Sequence, residues 1–141
     1  MSTSAGTQGH SVLEGFRVKP DSVQLFCFSA VTWNAHRIHY DHPYTTGVEH
    51  HPSIVVHGPL LGAWLLELAD KWVNGWGEIV SVSYRNARSA YVGEELTVEG
   101  ETIDAGDAPQ ARLWVRRISD NAIVCEGKAF AQRRSTAHQA A

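Results

Sequence analysis

Apolar and polar positions follow two different periods along this chain. After Gly77 the period is two. Four strand-like runs, at 78–91, 94–103, 110–118 and 121–131, are separated by Gly93, by a turn at 106–109 and by Asp120-Asn121. Val80, Val82 and Tyr84 alternate with Ser81, Ser83 and Arg85, and Leu113 and Val115 alternate with Arg112, Trp114 and Arg116. Such strands carry one apolar face and pair antiparallel.

Ahead of Gly77 the period is helical. A long helix is predicted from Gly58 to about Asn74, with Gly75 taking the left-handed position past its end. Glu67, Asp70, Lys71 and Asn74 form one polar stripe, and Glu67 and Lys71 have the spacing of an i,i+4 ion pair. Leu60 to Leu66 have no such stripe, so the first two turns are expected to be buried on every side. Further upstream, Val23, Leu25 and Cys27 face one way and Phe26 and Phe28 the other if residues 22–29 are extended, which predicts a strand covered on both sides. Between residues 30 and 56, Asp41, Pro43, Gly47 and Pro52 break any regular pattern into short turns, with Asp41 placed to cap a helical turn that Pro43 enters.

One strand, an irregular segment, one long helix and four antiparallel strands predict an α+β architecture, an antiparallel sheet wrapped around a single central helix. The 141 residues suit one domain, with small polar ends at 1–11 and 132–141 expected to be flexible tails. Twelve basic against fifteen acidic residues, a net charge of −3, argue against a surface for nucleic acid or anionic lipid and leave a small molecule or a protein as ligand. Cys27 and Cys125 lie in apolar runs and read as buried reduced thiols. With no signal-peptide pattern and no apolar run of the roughly 18 residues that span a bilayer, a soluble cytoplasmic protein is expected.

The groups able to do chemistry are concentrated between Ser29 and Val73. Asn34, His36, His39, Tyr40, Asp41 and His57 supply hydrogen-bonding and titratable groups, and Gly58-Pro59 opens the long helix, whose first N–H groups have no partner within the helix. On the residues alone, Asn34 and His39 read first as a buried, mutually hydrogen-bonded pair closing a loop. His57 reads as a residue that fixes the turn into the helix. The spacing of His36, His39 and His42 suggests zinc, but ligands at i, i+3 and i+6 need a continuous helix that Pro43 opposes, so no metal is expected. Arg85, Arg112 and Arg116 fit a solvated sheet face; Arg88, followed by small residues, is the one arginine singled out for phosphate. The tryptophans suit core and interface, and Trp33 beside Asn34 could line an acyl pocket.

The pairing of FSAVTWNAHRIHYD with VVHGPLLGAWLLEL, with His39 and His57 about 18 residues apart, resembles the MaoC-like hydratases and dehydratases of acyl thioesters. It is most similar to the branch of mesaconyl-CoA and itaconyl-CoA hydratases and fungal mitochondrial 3-hydroxyacyl-thioester dehydratases. The resemblance implies the hot-dog fold and a hydro-lyase that uses no cofactor. Its substrate would be a 2-enoyl or 3-hydroxyacyl thioester of coenzyme A or acyl carrier protein. The commoner family pattern, GD-x-NPLH-x-D, aligns its histidine with His39 and its aspartate with Asn34. An amide takes no proton at neutral pH, so Asn34 can only hold water or orient His39, and His39 is left as the acid–base group. The Gly58 N–H at the helix opening is the candidate donor to the thioester oxygen, with Trp33, Tyr40, His57 and Arg88 as substrate-binding candidates.

One sheet on one helix leaves an edge and a face open, so a homodimer, or a heterodimer with another hot-dog subunit, is expected. Asn34 also keeps open a non-catalytic subunit that binds acyl groups or completes another chain's site. A thioesterase is the third reading; it would need a carboxylate by the central helix, and Glu67 and Asp70 sit on the stripe assigned to solvent.

Overall fold

A computed structural model of the chain describes residues 10–103 and 108–135. Its elements are β1 (His10–Val12), β2 (Phe16–Val18), α1 (Ser22–Thr32), a 3₁₀ turn (Arg37–His39), α2 (His42–Gly47), α3 (Gly58–Val73), β3 (Gly77–Asn86), β4 (Leu96–Ile103), β5 (Gln110–Arg117) and β6 (Ile123–Arg133). The strands form one antiparallel sheet in the order β1-β4-β5-β6-β3, with β2 pairing β4 beside β1. The predicted four strands and the long helix are present, and α3 packs along the sheet through Leu61, Trp64, Leu65 and Leu68 against Val98, Leu113, Val115 and Ala129. Burying these side chains removes apolar area worth about 1.5–3 kcal/mol each, and it fixes α3 where the sheet curves over it.

Two glycines of α3 set how β3 crosses it. A Cβ on Gly62 would lie 2.3 Å from the Tyr84 ring, and a Cβ on Gly58 would lie 2.2 Å from the Asn86 amide nitrogen. Glycines four apart share one helix face, so they form a groove that receives alternate residues of β3.

The expected strand at 22–29 is instead α1. Asp21 accepts the Gln24 N–H at 2.8 Å as an N-cap, and Leu25 and Ser29, one turn apart, face inward. Cys27 is consequently exposed rather than buried, whereas Cys125 is buried as expected. The first turns of α3 are not covered on every side either, because Ala63 and Leu66 are exposed. Within β3 a bulge leaves Val80 without a partner between Ile79↔Ala131 and Ser81↔Phe130. Ile79 therefore packs inward, Val80 is 60% exposed, and Val82 and Tyr84 resume the inward face. Of the stretches expected as tails, His10, Ser11, Gln132 and Arg133 lie in strands, while 1–9 and 136–141 fall outside the described residues.

Candidate active site

The sequence places His39 at the end of a 3₁₀ turn and His57 immediately before α3, and the fold stacks their rings. The centroids are 3.7 Å apart and the planes 17° from parallel. Both are buried, His39 at 8% exposure and His57 at 0%. His39 Nδ1 lies 2.7 Å from the Val55 carbonyl, which can only accept, so Nδ1 carries the proton and Nε2 is left with its lone pair. Burial lowers the pKa of His39, with nearby His36 acting in the same direction and the Val55 hydrogen bond opposing. His57 is pushed down to about 4 by burial and by His39. Both rings are therefore neutral at pH 7.

His57 Nε2 lies 2.7 Å from Ser29 Oγ, and its Nδ1 is buried with no partner among the described residues. Although His57 occupies the N-cap position of α3, its side chain makes no capping bond, so the role expected for it in fixing the turn falls to its backbone carbonyl, which accepts from Leu60 and Leu61 N–H. Directly after it, Gly58 presents the first N–H of the helix, where orphan amides and the helix dipole favour negative charge.

Asn34 and His39 do not bond to each other. Asn34 Oδ1 accepts the His36 N–H at 3.1 Å, and its NH₂ has no partner among the described residues. Asn34 instead lines a pocket of about 280 Å³ with Phe26, Ser29, Ala30, Trp33 and Tyr40. Trp33 is 94% exposed at the left-handed end of α1, and the Tyr40 hydroxyl donates to Ala35 O at 2.8 Å. Ser29 is the link: it lines this pocket and holds His57. Asp41 caps α2 through the Tyr44 N–H at 3.0 Å and pairs with Arg37 at 2.7 Å. Arg88 lies beyond the end of β3, exposed and in no ion pair among the described residues. Arg85, Arg112 and Arg116 pair with Glu126, Glu101 and Glu99 on the sheet's outer face. Among the described residues no three His, Cys, Asp or Glu side chains converge as a metal site would require.

Three contributors escaped the sequence. Ser29 and the Val55 carbonyl gave no signal. Asn86 gave one: it continues the parity of Val82 and Tyr84, and a polar residue on a strand's inward face asks for a reason.

A family model, hydroxyacyl-thioester dehydratase type 2, matches residues 3–92. Mesaconyl-C(4)-CoA hydratase of Chloroflexus aurantiacus is 60% identical over 69 residues, 49% of this chain and 24% of that protein. The mitochondrial hydroxyacyl-thioester dehydratase type 2 of Schizosaccharomyces pombe is 42% identical over 48 residues, 34% of this chain and 16% of that protein. In both, the matched stretch is well under two thirds of the relative's length. Among solved structures, the ChsH1-ChsH2 complex from Mycobacterium tuberculosis superposes with a TM-score of 0.78 at 14% identity, covering 92% of this chain and 100% of the other. The R-hydratase PhaJ1 from Pseudomonas aeruginosa gives 0.76 at 17%, covering 93% and 83%. These likenesses place the chain in the hot-dog fold.

Proposed function

The chain belongs to the hydroxyacyl-thioester dehydratase type 2 family, and on that premise we propose that it adds water reversibly to 2-enoyl thioesters of coenzyme A or acyl carrier protein. The observation that carries this is the neutral His39 ring, its proton fixed on Nδ1 by Val55, stacked on the residue that precedes the α3 opening. In hydration, His39 Nε2 takes a proton as water oxygen bonds to C3, and the electron pair of the double bond moves onto the thioester oxygen. The Gly58 N–H holds that charge, as preorganised donors do for oxyanions. The imidazolium then returns the proton to C2, and dehydration runs the same steps backward. A lowered pKa suits the first step, because the ring must be unprotonated to accept.

Asn34, through its free NH₂, holds the attacking water. The acyl chain lies in the pocket by Trp33 and Tyr40, with His57 behind its Ser29 wall, and exposed Arg88 takes the carrier's phosphates. The scheme needs no cofactor. We assign it to a dimer, of two copies or with another hot-dog chain, since β3 is a sheet edge and Leu66, Val80 and Phe130 stand exposed beside it. A cytoplasmic location is consistent with the buried free thiol of Cys125; among the described residues no helix is long and apolar enough to cross a membrane, and the fission-yeast relative is mitochondrial by name.

The test is hydration of crotonyl-CoA, followed by loss of the conjugated thioester absorbance, with His39→Ala beside the unsubstituted chain. Turnover that disappears in the variant supports the enzyme. No turnover in either, restored on adding a second hot-dog subunit and still insensitive to His39→Ala, supports the partner-subunit reading, which Asn34 in place of a carboxylate favours. Release of free coenzyme A would point to a thioesterase; against it, Glu67 is exposed and tied to Lys71 at 2.7 Å.

A further inference from the structure

Asn86 ends β3 on the inward face, opposite Cys125, in the place where Val82 and Tyr84 pack against α3 earlier in the strand. An apolar side chain would fill such a position. Its carboxamide instead lies over the Cα of Gly58, close enough that a Cβ there would meet Nδ2 at 2.2 Å. The amide makes no hydrogen bond to any described residue, and the side chain is open to solvent. A side chain at position 58 would push the Asn86 amide aside, and Asn86 reaches the helix opening because position 58 is glycine.

We propose that Asn86 is a second donor for the thioester carbonyl oxygen, its Nδ2–H acting beside the Gly58 N–H at the opening of α3. The inference rests on the hydratase reading and adds to it. One N–H from a helix end stabilises an enolate oxygen only along one lone pair; a carboxamide held on the neighbouring Cα reaches the other. The side chain has free donors because no acceptor among the described residues occupies them, and the absence of a Cβ at Gly58 leaves room for it there.

Asn86→Ala removes the donor, and Asn86→Asp keeps the shape while replacing the donor with a charge that repels an oxyanion. With crotonyl-CoA, kcat is expected to fall about 100-fold in Asn86→Ala and further in Asn86→Asp, with KM changing much less. In a His39→Ala background, where substrate persists, the red shift of the bound enoyl-thioester absorbance measures polarisation of the carbonyl directly, and it should shrink when Asn86→Ala is added. A kcat within about threefold of the parent, or an unchanged red shift, overturns the proposal. So does a kcat loss matched by a lower melting temperature with the red shift intact, because that is the signature of a residue that only supports α3. Turnover by the unsubstituted chain separates these failures from failure of the hydratase reading; its absence overturns both.

Discussion

The two ends of α3 are built to opposite standards. At the C-terminal end several polar groups are engaged: Trp76 Nε1 donates to Trp72 O at 2.7 Å, Lys71 pairs with Glu67 at 2.7 Å and sits 4.2 Å over the Phe16 ring, and Trp76 N–H closes the last turn onto Val73 O. At the N-terminal end His57 Nδ1 is buried without a partner among the described residues, the cap makes no side-chain bond, and the exposed amide of Asn86 bonds no described residue. Leaving a buried donor or acceptor unmet costs about 1–3 kcal/mol. A helix that satisfies one end and starves the other is stable through its middle and receptive at its start. The stability comes from the Leu61, Leu65 and Leu68 contacts with the sheet, which tolerate the deficit at the opening.

Four measurements sharpen or break that contrast. The largest effect is expected from His39→Ala, which should lower kcat by about 10²–10⁴-fold, the range for losing a general acid–base group, while the denaturation midpoint stays near the parent's. Equal loss of stability and activity would mean that the ring is chiefly a structural filler.

Next in size is pH. Both His39 and His57 have folded pKa values below the ordinary 6.5, His57 at about 4, so between these values the unfolded chain binds more protons than the folded one. Stability is then complete above about pH 6.5 and falls as the pH drops toward 4, by about 3 kcal/mol at most for His57. Urea midpoints across that window measure it, and the acid limb of kcat/KM should lie below 6.5 because His39 must be neutral to act. A midpoint independent of pH would mean that the two rings are not buried together.

Gly58→Ala comes third. Alanine is the better helix former by about 1 kcal/mol, yet its Cβ displaces the Asn86 amide, so activity should fall about tenfold or more with the melting temperature unchanged or raised. Lys71→Ala, at the satisfied end, is expected to cost less than about 0.5 kcal/mol, since Lys71 and Glu67 are both exposed, and to leave kcat alone. A kcat that responds to Lys71→Ala would erase the distinction between the ends.

How much of this was legible in the residues depended on whether one period or two fitted. The α3 stripe of Glu67, Asp70 and Lys71 has only a helical explanation, and the Leu113–Val115 alternation only an extended one, so the central helix and the sheet could be read directly. Residues 22–29 fit both. Val23, Phe26 and Val31 are apolar yet exposed on α1, which erased the polar face that distinguishes a helix from a buried strand. Asp21 was the overlooked sign, a helix cap directly after Pro20. At the site, His39 and Gly58 were legible because motif and helix start coincide there. The His57 contact with Ser29 was not, because 28 residues separate them and only the folded position of α1 joins them.

The extra residue in β3 has a consequence for anyone altering this strand. Val80 switches the inward set from the odd-numbered Gly77 and Ile79 to the even-numbered Val82, Tyr84 and Asn86. Deleting Val80 would restore an unbroken ladder between β3 and β6. It would leave Val82, Tyr84 and Asn86 opposite Ala129, Gly127 and Cys125, still facing inward, so the groove over both helix glycines would stay filled. A deletion at the rim of the sheet would thus regularise the strand and leave the opening of the helix as it is, whereas deleting Ser81 and keeping Val80 would put a valine in the outward place that a serine now fills.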